Sequence, residues 1–321
     1  MIVEFLHSLD ALAGRKRSPL ILTIGVFDGV HVAHRALISG AVMAARERAL
    51  QAAVMSFDPH PDSVIFPDRP LLYLNDLQDK AAYIAEIGVD LLIVQPFTLD
   101  FARTPAEDFI NKLVSLADIK EIHVGEDFAF GHKARGNVEF LRKIGPELGF
   151  EVKSLPPLEI DGEVVKSSRI RNLILEGSVA EAARLLGRAP SLKGEVLHGD
   201  QRGRLIGFPT ANLAIPDRFA VPVNGVYASV TTFLDAQGRP KESPRLSVTN
   251  IGTRPTFDNG VRSVETFVLD WSGDLYGQTI RVEFIQRLRE ERKFAGIEAI
   301  RAQLALDVEN GRNALKAAGR S

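Results

Sequence analysis

The first half of the chain alternates short apolar runs with helical patterns, and this alternation restricts its fold more than any other feature. The apolar runs have the length of strands and occupy 20–27, 52–57, 91–97, 119–124 and 151–155. The helical patterns lie between them, at 34–50, 80–87 and 138–148. Strands buried on both faces read as continuous apolar runs, and parallel strands need helical crossovers. The sequence therefore predicts a parallel α/β sheet with helices on both faces.

Two helix-start motifs lie in the middle of the chain. Thr104-Pro105-Ala106-Glu107 fits a capping box and predicts a helix whose first position is Pro105. Ser178-Val179-Ala180-Glu181 fits a second capping box and predicts a helix that ends at Leu186. A helical pattern over 167–176 precedes this second motif and stops before a glycine.

The second half of the chain has a different pattern of residues. Residues 187–193 combine glycine, proline and serine, as segments between domains often do. Strand-like runs rich in β-branched and aromatic residues follow at 194–198, 225–233, 246–250, 264–271 and 279–288, ahead of a helical pattern at 297–316. We therefore predict an α/β domain over 1–187 and an antiparallel β-barrel with a terminal helix over 188–321.

Composition excludes several classes of protein and site. The 321 residues include no cysteine, which excludes disulfides, thiolate zinc sites and cysteine nucleophiles. The formal net charge is only −2, so no basic excess points to nucleic acid. Glu4 and Asp10 precede the basic cluster at 15–17, which is the reverse of a secretory signal. No uncharged apolar run reaches membrane-spanning length, and we predict a cytoplasmic protein without a membrane partner.

Two histidines stand where the first apolar run meets a helical pattern. In an α/β sheet the loop after a strand faces the ligand crevice, and a helix N-terminus there suits phosphate. Gly29 permits a tight turn, so His31 and His34 can face one phosphate and stabilise a leaving pyrophosphate by hydrogen bonds. Loop histidines with ordinary hydrogen bonds fit the spacing equally well, and a zinc pair fits less well without a third ligand. The P-loop and G-x-G-x-x-G patterns are absent.

Several segments together resemble one enzyme family. TIGVFDGVHVAH at 23–34 is similar to the HxGH signature of the bacterial bifunctional riboflavin kinase/FAD synthetase (FMN adenylyltransferase) family. Further segments resemble motifs of the same family at 56–61, 96–110, 124–137, 167–171, 193–213, 250–257 and 289–294. The resemblance covers nearly the whole chain. It implies a Rossmann-like nucleotidylyltransferase domain of the HxGH type, followed by a β-barrel riboflavin kinase domain with a terminal helix.

In the N-terminal half the resemblance implies roles for residues around the two histidines. His31 and His34 would stabilise the leaving pyrophosphate. Nucleotide and phosphate contacts would come from Gly25, Phe27, Asp28, Gly29, Ser167, Ser168 and Arg171. Arg171 also has a direct interpretation, because a guanidinium can hold two phosphate oxygens, although a capped helix with solvated arginines is the simpler alternative. Phe128 would stack on the flavin, whereas core packing is the commoner role of a phenylalanine.

In the C-terminal half the strongest match is the segment 193–213. Gly203 and Gly207 would let the backbone wrap closely around ATP, and a glycine-rich turn before a strand is the plain alternative. Thr210 and Asn212 would bind the Mg²⁺ of MgATP, as the matching residues of the family do. Oxygen ligands two positions apart on an extended segment point to the same side, which suits a hard cation.

The resemblance also implies roles for two charged residues further along the chain. Glu265 would be the catalytic base for the ribityl hydroxyl, and a strand glutamate that is solvated or paired with arginine is the alternative. Arg289 would be a flavin or phosphate contact.

The resemblance implies two ATP-dependent reactions. Riboflavin would be phosphorylated to FMN with MgATP, and FMN would then accept AMP from a second ATP to give FAD and pyrophosphate. The partners would be the small molecules riboflavin, FMN and ATP, with no nucleic acid. Self-association is left open.

Two departures from the family pattern support an alternative. Ala33 stands where the family has glycine between the histidines, and Lys166 replaces a serine. A riboflavin kinase with an N-terminal domain impaired in adenylyl transfer would fit both changes. A non-enzymatic flavin-binding protein is a second alternative. Another HxGH-type transferase is a third, and the Pro209-Thr210-Ala211-Asn212 segment argues against it.

Overall fold

A computed structural model of the chain describes residues 3–198, 207–253, 262–292 and 294–320. Close contacts divide the chain into a first unit, over 1–71 and 76–167, and a second unit, over 72–75 and 168–321. The division falls before the predicted boundary at 187/188, which stays a prediction because a compact unit need not coincide with a functional domain. Among the described residues no helix is long and apolar enough to cross a membrane.

The first unit is built from strands that alternate with helices. Its strands are β1 (Glu4–Leu6), β2 (Leu20–Ile24), β3 (Gln51–Asp58), β4 (Leu91–Pro96), β5 (Ile119–Gly125), β6 (Ala129–Phe130), β7 (Gly136–Asn137), β8 (Glu151–Leu155), β9 (Glu159–Ile160) and β10 (Glu163–Val164). Its helices are α1 (Val32–Glu47), α2 (Pro61–Ile65), α3 (Leu77–Glu86), α4 (Leu99–Ala102), α5 (Ala106–Leu116) and α6 (Val138–Leu148).

Six strands of the first unit form a parallel sheet in the order β1-β4-β3-β2-β5-β8. All of β2 is buried, and β3 is buried from Ala52 to Phe57, as expected of strands covered on both faces. The predicted parallel α/β sheet is confirmed. Chain order reverses between β2 and β5, and ligands of such sheets bind beyond the carboxyl ends of the strands at the reversal. The loops after β2 and β5 are therefore the expected place for a site.

The described part of the second unit contains a barrel and three helices. The helices are α7 (Ser167–Glu176), α8 (Val179–Leu186) and α9 (Ile297–Ala317). The strands are β11 (Ser191–Leu197), β12 (Ala211–Leu213), β13 (Gly225–Leu234), β14 (Arg245–Thr253), β15 (Arg262–Val268) and β16 (Thr279–Arg289). They form a closed antiparallel barrel in the order β11-β12-β15-β14-β13-β16, with β16 also paired to β11. The predicted barrel and terminal helix are confirmed.

Side chains fill the interior of the barrel. Apolar residues from all six strands form its core. Among them, five buried hydroxyl side chains hydrogen-bond to one another: Ser229, Thr231, Ser247, Thr249 and Thr266. A filled interior leaves the outer wall as the surface for binding. The terminal helix α9 packs on that wall, against β13, β14 and β16.

One line of paired residues crosses the outer wall of the barrel. Glu265 of β15 pairs with Asn212 of β12 on one side and with Asn250 of β14 on the other. Asn250 pairs in turn with Val226 of β13. Residues paired in this way project from the same face of a sheet, while their neighbours in sequence project from the other. Since Val264 is in the barrel core, Glu265 and its paired residues face outward.

Two helix starts differ from the capping boxes that predicted them. α5 begins after Pro105, which is the N-cap, and no side chain caps that helix. Pro105 has extended backbone with ψ at 148°, so the prediction of Pro105 as the first helical residue is wrong. Ser178 is the N-cap of α8, but its side chain makes no capping hydrogen bond. The two motifs therefore predicted where the helices lie but not how their first turns are capped.

We expect an Asp90→Asn substitution to lower the free energy of unfolding by about 1–2 kcal/mol, because it removes a partly buried ion pair. Arg46 of α1 donates to both carboxylate oxygens of Asp90 at 2.7 and 2.9 Å, and the Ala52 N–H donates at 2.8 Å. Urea titration followed by circular dichroism measures the loss. Asp100→Asn is the matched control, since Asp100 pairs only at the surface, with Arg103.

The effect of Asp90→Asn should depend on pH. Burial raises the pKa of the Asp90 carboxyl, but hydrogen bonds from Arg46 and from the Ala52 N–H outweigh burial, so the pKa lies below its ordinary 3.8. A lowered carboxyl pKa stabilises the folded state at pH values above the ordinary pKa. The difference between wild type and variant should therefore persist above pH 3.8 and disappear as the pH falls through the lowered pKa. An equal difference at all pH values would contradict this account.

Candidate active sites

A cavity of about 830 Å³ lies in the first unit at the carboxyl ends of the strands. Its wall includes Gly25 after β2, Phe57 near the end of β3, Phe97 after β4 and Phe128 after β5. The loops on both sides of the reversal in strand order thus contribute to it. The cavity lies where the topology of the sheet predicts a ligand.

The two histidines stack on each other at the start of α1. Their ring centroids are 3.5 Å apart and the rings are 18° from parallel. His31 is the N-cap of α1, and its Nδ1 accepts the backbone N–H of His34 at 3.3 Å. Because Nδ1 is the acceptor, we assign the proton of neutral His31 to Nε2, which can donate to a ligand. His34 is part of the cavity wall.

His34 is held in its neutral form. Burial, the neighbouring His31 and then the charge of Lys80 place its pKa well below the ordinary value of 6.5. Its Nδ1 is buried and has no hydrogen-bond partner in the part of the chain that the structure describes. A neutral imidazole can donate one hydrogen bond to a phosphate oxygen without carrying charge into the buried site.

The turn that leads to the histidines has an unusual backbone. Phe27 and Val30 have left-handed φ values of 53° and 40°. This conformation costs about 1–2 kcal/mol for each residue other than glycine. Gly29 adopts φ of 80° at no such cost, as its predicted role in the turn requires. Asp28 is buried, and its carbonyl accepts a hydrogen bond from Ser167 Oγ at 2.9 Å. The surrounding structure therefore holds this turn against its intrinsic preference.

The predicted phosphate-binding residues fall in both units. Gly25, Phe27, Asp28 and Ser167 contribute to the wall of the first cavity. A Cβ atom on Gly25 would lie 2.7 Å from the ring of the buried Phe27, so any other residue would have to displace that ring. Ser168 and Arg171 belong to the second unit, where Arg171 Nε donates to the Leu72 carbonyl at 2.5 Å. Phosphate contacts by Ser168 and Arg171 stay predictions.

Phenylalanines dominate the apolar part of the first cavity. Phe128 stacks on Phe130, with ring centroids 5.3 Å apart, and lines the cavity as well as packing on the core. Phe57, Phe97 and Phe101 meet one another there, with centroids about 5.6 to 6.0 Å apart. The sequence analysis assigned these three no individual role, although they lie within the segments 56–61 and 96–110 that resemble family motifs. Their position at or just beyond the ends of predicted strands is the feature that could have identified them.

Neither departure from the family pattern disturbs the local fold. Ala33 lies in the first turn of α1 and does not have left-handed backbone, so its methyl group adds no strain. Alanine also has a higher helix propensity than glycine. Lys166 is exposed at the position before α7.

A second cavity, of about 270 Å³, lies between the outer wall of the barrel and α9. Its polar side contains Thr210, Asn250 and Glu265, and its apolar side includes Phe208 and Phe267. Thr210 Oγ1 lies 3.5 Å from Glu265 Oε2, and Asn212 is paired with Glu265 across β12 and β15. The structure thus brings the predicted base and the predicted metal ligands together. Asn250 is a further member that the sequence analysis did not assign.

The oxygen atoms around Glu265 suit a magnesium ion that ATP also binds. The described residues contain no group of three His, Cys, Asp or Glu side chains placed to hold a metal on their own. Mg²⁺ typically keeps several waters and is bound by a few protein oxygens together with substrate phosphates. Thr210 and Asn212 are the predicted ligands, and with the carboxylate of Glu265 beside them they fit that pattern. Gly207 has φ of 86°, which favours glycine, and Gly203 lies outside the described residues.

Arg289 lines the second cavity with its guanidinium group held by a buried carboxylate. Its Nε and Nη2 atoms donate to the two oxygens of Asp307 in α9 at 2.8 and 2.6 Å. Gln303 donates to the same carboxylate at 2.9 Å. The side chain of Asp307 is 2% exposed. The predicted flavin or phosphate contact of Arg289 stays a prediction, and Asp307 is a residue that the sequence analysis missed.

An Asp307→Asn substitution is expected to destabilise the second unit by about 3–5 kcal/mol, as loss of one partner of a buried ion pair does. Urea titration followed by circular dichroism measures the loss. Asp270→Asn is the matched control, because Asp270 also pairs with α9, through Arg312, but at the exposed surface. Equal effects of the two substitutions would show that burial of the Arg289–Asp307 pair is unimportant.

Comparisons with known proteins identify relatives for both units. A family model described as FAD synthetase matches residues 14–169, and one described as riboflavin kinase matches residues 186–315. The chain is 37% identical to a bifunctional riboflavin kinase/FMN adenylyltransferase of Escherichia coli (strain K12), over 95% of this chain and 96% of that protein. A protein of the same name from Listeria monocytogenes is 35% identical over 91% of each. A solved structure described as a macrolide-efflux protein from Streptococcus pneumoniae is 30% identical, with a TM-score of 0.87 over 98% of this chain and 99% of that one.

Proposed function

Because the chain belongs to the family of bifunctional riboflavin kinase/FMN adenylyltransferases, we propose that each of its two cavities serves one reaction of that pair. The enzyme phosphorylates riboflavin to FMN and joins AMP from ATP to FMN, which gives FAD and pyrophosphate. One observation carries the assignment: His34 lines a cavity of the first unit, and Glu265 lines a cavity of the second. The comparisons do not support an impaired N-terminal half, since the FAD synthetase model matches it.

The kinase reaction is assigned to the second cavity. The terminal hydroxyl of the ribityl chain attacks the γ-phosphorus of ATP, its proton passes to Glu265, and ADP leaves. Thr210 and Asn212 are the proposed ligands of Mg²⁺, which neutralises charge on the ATP phosphates when it is bound. The apolar wall under α9 offers a surface for the flavin ring, and the outward-facing line of Asn212, Glu265 and Asn250 offers polar groups for the chain and phosphates.

The adenylyl transfer is assigned to the first cavity. A phosphate oxygen of FMN attacks the α-phosphorus of ATP in line, and pyrophosphate leaves from the opposite side. His31, through Nε2–H, and neutral His34 donate hydrogen bonds to the oxygens that gain charge as that bond breaks. Ser167, Ser168 and Arg171 are proposed to hold phosphates. No covalent bond to the enzyme forms, so positioning and charge neutralisation carry the reaction.

The flavin ring of FMN is assigned to the phenylalanine-lined part of the first cavity. Aromatic side chains there offer both flat faces and edges to an isoalloxazine ring, and Phe128 is the proposed stacking partner.

We further propose a cytoplasmic enzyme that acts on small molecules without nucleic acid, with domains over 1–187 and 188–321. The absence of cysteine and the net charge of −2 are compatible with these statements.

The assignment is tested by incubating the purified chain with ATP, magnesium and either riboflavin or FMN, and separating the flavins by chromatography. FAD is expected from both starting compounds. FMN from riboflavin without FAD from added FMN would remove the proposed role of the first cavity. Omission of magnesium should abolish both conversions, because the phosphates of ATP would lose their counter-ion.

A further inference from the structure

A buried lysine lies behind the wall of the first cavity. Lys80 belongs to α3 and is 7% exposed. Its ammonium group donates to the carbonyl of Val26 at 2.9 Å, to Ser56 Oγ at 3.4 Å and to the carbonyl of Phe57 at 3.5 Å. Burial of an ammonium group is costly unless it is well hydrogen-bonded, so a lysine in such a place needs an explanation.

The contacts of Lys80 join the ends of two neighbouring strands. Val26 follows β2 and immediately precedes the left-handed Phe27 of the histidine turn. Phe57 lies at the end of β3, just before the segment that leads to the cavity-lining His60. Ser56 Oγ also donates to the Val26 carbonyl, at 2.9 Å. One cation therefore fixes the starting points of two loops that form the cavity.

We propose that Lys80 is a positioning residue for adenylyl transfer, which holds the turn carrying His31 and His34 and supplies a fixed positive charge behind it. This inference rests on the proposed role of the first cavity. The turn contains left-handed backbone at Phe27 and Val30, which persists only where surrounding contacts determine it. The ammonium group of Lys80 is one such contact, and it lies outside the cavity wall, so Lys80 acts through the turn and not on the substrate.

The charge of Lys80 has a second consequence. The charged and titratable groups that act on Lys80 are Asp28 and Asp58, and those that act on His34 are His31 and Lys80. Burial lowers the pKa of Lys80, while Asp28 and Asp58 partly restore it. Burial and then His31 lower the pKa of His34 most, and the charge of Lys80 adds to this by further disfavouring protonation of the imidazole.

The test uses a Lys80→Met variant of the full chain, which keeps the length of the side chain and removes its charge and its hydrogen bonds. The kcat of FAD formation from FMN should fall about 10²-fold, as small misplacements of catalytic groups can cause, with little change in the KM for FMN. Riboflavin phosphorylation, measured in the same sample, should be unchanged. Lys112→Met is the matched control, since Lys112 is half exposed in the first unit and pairs with Asp10 at the surface.

A spectroscopic measurement separates positioning from a general structural role. In a nuclear magnetic resonance titration of labelled histidine, the His34 imidazole should take up its proton at higher pH in Lys80→Met than in wild type. If Lys80→Met does not fold, Lys80→Gln replaces it with the same expectations. Wild-type kcat in either folded variant, or an unchanged His34 titration, would overturn the inference. If the wild-type protein made no FAD, the proposed function itself would be rejected, whatever the variants did.

Discussion

A Glu265→Gln variant should lose riboflavin phosphorylation by about 10²- to 10⁴-fold, the usual contribution of a general base. The amide keeps the shape of the carboxylate but cannot take the proton of the attacking hydroxyl. Conversion of added FMN to FAD should continue at the wild-type rate, because that reaction is assigned to the other cavity. Both rates can be measured on one preparation by chromatography of the flavins.

Glu195→Gln is the matched control for this experiment. Glu195 lies in β11 of the same barrel and is exposed, so the substitution changes the same charge away from the cavity. We expect wild-type rates for both reactions. If Glu265→Gln phosphorylated riboflavin as fast as the control, Glu265 would not be the base, and the cavity under α9 would need another proton acceptor.

A His31→Asn variant should show the reverse pattern. Asparagine is a good N-cap and can still accept the backbone N–H of His34, so α1 should keep its start. The variant loses the Nε2–H donor, and FAD formation from FMN should fall about 10²- to 10³-fold, as after removal of one oxyanion donor. Riboflavin phosphorylation should be unaffected.

The control for His31→Asn is His7→Asn. His7 is an exposed residue of the first unit that contacts the ring of Phe5. Its replacement should leave both reactions unchanged. Retention of full FAD synthesis by His31→Asn would mean that the histidine pair only shapes the turn, which is the plain alternative to its proposed role.

Much of the fold could be predicted from the sequence because the apolar runs of the strands and the hydrophobic patterns of the helices were clear. The strands buried on both faces are continuous apolar runs, and α6 and α7 have the bounds that their helical patterns predict. Short elements escaped prediction because tertiary pairing creates them. β1, with three residues, exists through its pairing with β4, and β12 through its pairing with β11 and β15.

Without the family resemblance, the candidate sites could be predicted only where a motif lies within one loop. His31 and His34 are three residues apart, so the local sequence was enough to place them together. Lys80 is 54 residues from Val26 and 23 from Phe57, and its role depends on contacts that only the folded sheet creates. Its place on the apolar face of α3, four residues before Ile84, indicates burial but not its partners. The role of Asp307 could not be predicted for the same reason, since its pairing with Arg289 depends on α9 packing against the barrel.

The line of paired residues on the barrel wall makes strand register part of the chemistry. A shift of one residue in β15 would turn Glu265 into the barrel core and bring Val264 or Thr266 to the cavity. Such a barrel could still be closed and show the same far-ultraviolet circular dichroism. Phosphorylation of riboflavin therefore acts as a test of folding fidelity, because it distinguishes a correctly paired barrel from a mispaired one that gives the same spectrum.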